Sequence, residues 1–362
     1  GFKFSPDGTK IAILDEEGNP EVNGGRLIFV SDIDGSNQVQ IAQDYTDSTR
    51  YISHYTEKDP YHFTSDSQYI IYISRGDWCC SGAVSMENVY ANKVDGSDYR
   101  EIGNAANNSS EILILSASNT ALYAQGGVLN TVDVTTGTKT PLSTVCKPGS
   151  AVEIQSRGEI ACENGGEIFL VKLDGSTHSS VHTEEALYSS YTSTPIPFKL
   201  SSDEKYIVYA AFLAASTQQY KIFSYNLDTG VNKTLSPTLK VGSFQFEYIP
   251  NQQSIIYSGL DWNENKGILR KINLDGTGEV IIESSLGDVI LTDQFHFSHT
   301  ENYVIYPVIN TPFDGVRVKI STYDTSVQEF LNEGDPVVFY NFYSEDHILL
   351  GSESGDDSDA HY

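Results

Sequence analysis

Several things are scarce in this chain. Methionine occurs once in 362 residues, tryptophan twice and cysteine four times. No window approaches the roughly 18 or more consecutive apolar residues of a membrane helix, so no membrane insertion is expected. Basic residues are few, 22 Lys and Arg against 49 Asp and Glu, a formal net charge of −27. Neutralising phosphates needs clustered Lys and Arg, so nucleic acid is excluded as a partner. Long helical periodicity is missing, as is the GxSxG of a serine hydrolase. No CxxC or Cys/His metal spacing occurs, and turns such as "DIDGSN" lack the spacing and terminal Glu of a calcium loop. No cofactor is expected, and no motif indicates a bound divalent cation. His178 and His182, and His296 and His299, are spaced for metal binding only on a helix, which neither pair occupies.

Aromatic and β-forming residues are plentiful. The chain carries 16 Phe and 23 Tyr, and 39% of it is hydrophobic, enough for a large core. It also repeats. "FKFSPDGTKIAIL" from Phe2 returns as "YHFTSDSQYIIYI" at Tyr61, "FKLSSDEKYIVYA" at Phe198 and "FHFSHTENYVIYP" at Phe295. Weaker copies start at Leu113, Val152, Phe246 and Tyr340, so starts are 39 to 59 residues apart. That is the spacing of a four-stranded propeller blade. Each copy reads as a short alternating strand, a polar turn often containing Asp (Asp7, Asp66, Asp203), and a β-branched, tyrosine-rich strand. A variable loop follows, then a third strand ending in an Asp-Gly or Thr-Gly hairpin signal, then a poorer fourth strand.

These residues resemble the TolB-type propeller repeat, a relative of the WD repeat, whose hallmark is "FSPDG" followed by an apolar strand. The resemblance spans essentially the whole chain and implies an all-β fold, a β-propeller of four-stranded blades. Eight blades with the last incomplete is the preferred count and seven the alternative. The expected organisation is one propeller domain over residues 1–362, cut within the repeat at both ends, which leaves room for further domains outside it.

In such a blade, the second-to-third loops and the inter-blade connectors share one face. Here these are the long and diverse segments: Asp15–Gly25, Gly76–Glu87, Leu213–Gln219, Asp261–Lys266, Asn310–Gly315, and the connectors Tyr45–Pro60 and Thr183–Ile196. Loops on a rigid scaffold carry recognition. Both tryptophans follow an aspartate in these loops, so Asp77, Trp78, Asp261 and Trp262 are the candidate ligand-binding residues. Aromatic platforms beside carboxylates suit sugar rings or peptide side chains.

Period-two alternation along the first strands sets Phe2 and Phe4, or Tyr61 and Phe63, against the residue between them. That middle position holds Lys3, His62, Ile114, Glu153, Lys199, Glu247, His296 and Asn341, seven of eight polar. The polar seven are expected to line the axial channel as a hydrated, internally paired ring. The fold returns Cys146, in the connector before the fourth blade, and Cys162, near the end of its second strand, to the same face, so these two are expected to pair. Cys79 and Cys80 are then either free thiols or a vicinal disulfide. Paired cysteines fit an extracellular, cell-surface or periplasmic location.

The functional expectation is a non-catalytic exported module that binds a protein or polysaccharide partner through its variable loop face. A lyase or hydrolase using the same face, or a propeller gating a larger enzyme, is the alternative.

Overall fold

A computed structural model describes residues 2–15, 27–42, 50–52, 61–76, 86–106, 113–115, 119–125, 128–143, 146, 151–164, 167–181, 198–214, 219–249, 252–263, 266–283, 296–298, 302–309, 316–322, 325, 328–330, 337–344 and 347–352. Among these the chain forms antiparallel β-strands with short 3-10 turns such as Gln155–Arg157, and no α-helix. It divides into two compact units, Gly1–Val181 and His182–Tyr362.

The first unit holds four sheets, each following the repeat. They are β1 (Phe2–Phe4), β2 (Lys10–Asp15), β3 (Leu27–Asp32) and β4 (Val39–Ala42); then β5 (Arg50–Ile52), β6 (Tyr61–Phe63), β7 (Tyr69–Gly76), β8 (Met86–Lys93) and β9 (Tyr99–Ala106). Next come β10 (Leu113–Leu115), β11 (Thr120–Gln125), β12 (Val128–Asp133) and β13 (Lys139–Ser143); then β14 (Val152–Ile154), β15 (Glu159–Asn164), β16 (Glu167–Lys172) and β17 (His178–Val181).

The second unit begins with β18 (Phe198–Leu200), β19 (Tyr206–Ala214), β20 (Gln219–Asn226) and β21 (Asn232–Thr234), followed by β22 (Leu239–Ile249), β23 (Ser254–Asp261), β24 (Gly267–Asn273) and β25 (Val280–Glu283). Then come β26 (His296–Phe297), β27 (Tyr303–Ile309), β28 (Val316–Thr322) and β29 (Gln328–Phe330), and the hairpin β30 (Val337–Ser344) with β31 (His347–Ser352).

The apolar second strands are explained by where their two faces go. Ile70 and Tyr72 of β7 enter the layer shared with Ala12 and Leu14 of the preceding sheet, whereas Tyr69 and Ile71 enter the layer shared with Ala121 and Tyr123 of the next. In the second unit β23 behaves alike: Ile255 and Tyr257 pack towards Val208 and Ile222, and Ile256 towards Val304 and Tyr306. The core is thus a series of layers between successive sheets, and a strand buried on both faces reads as a continuous apolar run. First-strand aromatics point to the preceding sheet, as Tyr61 and Phe63 do. Phe2 and Phe4, in the first sheet of their unit, stay 63% and 55% exposed.

One feature departs from a plain repeat. β22 starts early, and its first residues pair on both sides: Gln219↔Lys240 and Tyr220↔Leu239 towards β20, and Leu239↔Asp261 towards β23. The two sets of four strands are thereby joined into one eight-stranded sheet. Gly259 lets this happen, because a Cβ there would stand 3.0 Å from a methyl group of the buried Leu239.

Candidate functional site

The middle residues of the first strands come together in neighbouring pairs. In the first unit the Lys3 ammonium donates to the Tyr61 carbonyl oxygen at 2.8 Å, lies 3.5 Å from His62 Nδ1, and sits 5.2 Å from the Tyr61 ring centroid. In the second unit Lys199 forms an ion pair with Glu247 and lies over the Phe246 ring. Each lysine therefore reaches from the middle of one first strand to the middle of the next. Glu153 and His296 hold the same position in β14 and β26, both half-buried. Burial holds the His296 imidazole below its ordinary pKa. Ile114 and Asn341 occupy the corresponding positions of β10 and β30, with side chains outside the described residues.

The second tryptophan lies where β23 turns into β24. The Asp261 N–H donates to the Lys266 carbonyl at 2.9 Å, and the Asn263 N–H donates to Asp261 Oδ1 at 2.8 Å. Asp261 is buried, and this carboxylate oxygen is spent on its own turn. Trp262 is what the surface receives, 39% exposed. Its backbone N–H donates to the Thr238 carbonyl at 2.9 Å, and the Lys240 ammonium stands 5.7 Å from its ring centroid. The Trp262 main chain is thus held by a hydrogen bond, and a cation stands over its partly exposed ring. Thr238 and Lys240 were not expected from the sequence. They come from a connector, and the only signal that could have found them is the glycine opposite Leu239.

Asp77, Trp78, Cys79 and Cys80 lie outside the described residues. The described backbone leading to them is, like the end of β23, paired with a connector strand. The connector strand β5 pairs with the end of β7, Arg50↔Gly76, as Leu239 pairs with Asp261 at the end of β23. Cys146 and Cys162 form a disulfide with Cα atoms 5.6 Å apart, tying a connector to β15 and packing beside Leu129 and Ile160. Among the described residues no group of three His, Cys, Asp or Glu could hold a metal ion, and no helix is long and apolar enough to cross a membrane.

No protein-family model matches the chain, and no curated protein matches it. Among solved structures it is similar to the dipeptidyl peptidase 4 of Porphyromonas gingivalis, at 11% identity and TM-score 0.56, over 85% of this chain and 50% of that one. It is also similar to the tricorn protease, at 13% identity and TM-score 0.36, over 94% of this chain and 41% of that one. An oligogalacturonate lyase of Vibrio parahaemolyticus shares 13% identity at TM-score 0.38, over 90% of this chain and 86% of that one. The chain thus spans about half or less of the two peptidases. At such identity the likeness concerns the fold alone, and of these three only the dipeptidyl peptidase 4, at TM-score 0.56, supports one.

Proposed function

We propose that the chain is a β-propeller of TolB-type repeats acting outside the cytoplasm as a non-catalytic binding or assembly module. Eight blades, the last incomplete, is the preferred count and seven the alternative. Its partner is a protein or polysaccharide, met by the face that carries the second-to-third loops. The observation that carries this reading is Trp262, exposed on a turn held by backbone hydrogen bonds, with Lys240 over its ring. The Cys146–Cys162 disulfide supports an oxidising location. The polar ring of Lys3, His62, Glu153, Lys199, Glu247, His296 and Asn341 is read as structural, because its lysines are engaged by neighbouring first strands.

The test is an array of immobilised glycans and peptides probed with the wild-type chain, Trp262→Ala and Lys240→Ala. Ligands retained by the wild type should be lost by Trp262→Ala and weakened by Lys240→Ala, with thermal unfolding unchanged because both side chains are at the surface. Retention untouched by either substitution would sink the platform. Release of unsaturated sugar products or cleaved peptides during incubation would replace the binding module with the lyase or hydrolase.

A further inference from the structure

The second unit carries a cavity at the other end of β23. Its volume is about 500 Å³, and three turns converge on it: β18–β19 with Asp203 and Lys205, β22–β23 with Gln252 and Gln253, and β24–β25 with Asn273 and Asp275. Ligand sites span about 300–1,000 Å³, so a small organic molecule fits. A strand rises about 3.3 Å per residue, so the length of β23 sets this cavity on the order of 20 Å from Trp262.

The walls are fixed before any ligand arrives. Asp203 Oδ1 accepts from the Ser201 hydroxyl at 2.7 Å, and Asp275 Oδ1 accepts from the Thr277 N–H at 2.9 Å and its hydroxyl at 2.7 Å. The Leu274 N–H donates to the Gln253 carbonyl at 3.1 Å, and the Ser224 hydroxyl of β20 donates to the Leu274 carbonyl, tying the two sets of strands together beneath the cavity. Lys271 donates to Gln252 Oε1 at 2.6 Å.

The lining decides the chemistry. Two carboxylates face one ammonium, Lys205, itself 3.7 Å from Asp203 Oδ2, so an anion is disfavoured. A metal has no third carboxylate, imidazole or thiolate among the described residues. An apolar ligand would find Leu274 as its only aliphatic neighbour. Carboxylates that accept, and the amides of Gln252, Gln253 and Asn273 that both donate and accept, match the hydroxyls of a polyol, each of which does both. Tyr206 packs against the core of the unit and also lines the cavity, an aromatic flank for the CH groups of a sugar ring.

We infer that this cavity binds a neutral saccharide of one or two rings, a site separate from the tryptophan platform. The experiment is ligand-observed saturation-transfer NMR on the full chain with millimolar glucose, maltose, cellobiose, lactose, N,N′-diacetylchitobiose and glucuronate. At least one neutral sugar should bind saturably and more tightly than glucuronate. Asp275→Asn keeps an oxygen for the Thr277 N–H while removing the carboxylate, and should weaken binding about tenfold, the effect of one lost charged hydrogen bond. Gln253→Trp, at an exposed position, should abolish it by filling the mouth. Trp262→Ala should leave it intact, so loss there alone assigns the sugar to the other face and overturns this site. No binding by any neutral sugar, a preference for glucuronate, or binding that survives both cavity substitutions would overturn it equally.

Discussion

A hydroxyl at the end of the first strand organises each well-formed repeat. Ser5, Thr64, Ser201 and Ser298 are buried, and each accepts from the N–H that opens the second strand: Lys10 at 2.9 Å, Tyr69 at 3.0 Å, Tyr206 at 2.8 Å and Tyr303 at 3.2 Å. Three of them donate in turn to the aspartate two residues on, at 2.6 Å to Asp7, 2.7 Å to Asp66 and 2.7 Å to Asp203. The Ser201 hydroxyl also accepts from the Lys205 N–H at 3.1 Å. Ser201→Ala should therefore cost about 1–3 kcal/mol, the penalty of leaving a buried donor unpaired, read as a lower urea midpoint at unchanged slope. The same hydroxyls set an acid sensitivity. Bonds from Ser5 and Thr9 hold the Asp7 carboxyl at a pKa of about 2, below its ordinary 3.8. Because the folded value is the lower one, its contribution is present above about pH 4 and lost as pH falls towards 2. His296 acts earlier and by burial. Its folded pKa lies below 6.5, so the unfolded chain takes up the proton first and stability falls as pH drops through that value. Denaturant titrations of wild type and His296→Gln between about pH 7.5 and 5.5 should show a shallower decline in the variant. Parallel curves would mean that His296 is not desolvated.

At the scale of strands, the distance between successive sheets is set by small residues. Gly103 of β9 faces Tyr123 of β11 in the next sheet, and a Cβ there would stand 2.7 Å from a ring carbon. Tyr123 is fully buried and cannot swing away, so Gly103→Ala should destabilise the first unit by about 1–3 kcal/mol through overpacking. Chemical denaturation reads this directly; a change within error would show that the layer between these sheets is loosely packed. The strands themselves were legible in the sequence because burial on both faces leaves a pattern. "YIIYI" at Tyr69 and "YIVYA" at Tyr206 are apolar for that reason, and the turns at Gly35 and Gly96 announce themselves because φ of +83° and +75° suits glycine. The Cys146–Cys162 bridge was readable from the return of both segments to one face. The connector strands were not. Leu239 and Lys240 look like any loop, and their pairing with β20 and β23 depends on a glycine some twenty positions downstream. Lys240 over Trp262, a detail on which the proposed platform rests, was invisible for the same reason. So was the cavity beside Asp203 and Asp275, since turns read one at a time give no sign of converging.

For the whole molecule the governing quantity is charge. With 22 basic residues against 49 acidic ones, even complete pairing would leave 27 negative charges unmatched. Among the described residues the ion pairs are mostly half-exposed, such as Lys10 with Asp32, Lys205 with Asp203 and Arg270 with Glu279. Pairs of that kind contribute roughly 0–1 kcal/mol each, and salt weakens them. Salt also relieves the repulsion among the unmatched charges, which acts over a Debye length of about 30 Å at 0.01 M and about 10 Å at 0.1 M. The two effects oppose one another, and the surplus decides between them: the unmatched carboxylates outnumber every pair the basic residues could form. Thermal unfolding should therefore shift to higher temperature as NaCl rises from about 0.01 to 0.3 M, with most of the gain below about 0.1 M, where the screening length passes below the spacing of surface charges. A fall over that range would mean that the pairs dominate and that the acidic residues are spread widely enough not to feel one another. A rise would mean that repulsion among the unmatched carboxylates outweighs whatever the surface ion pairs contribute.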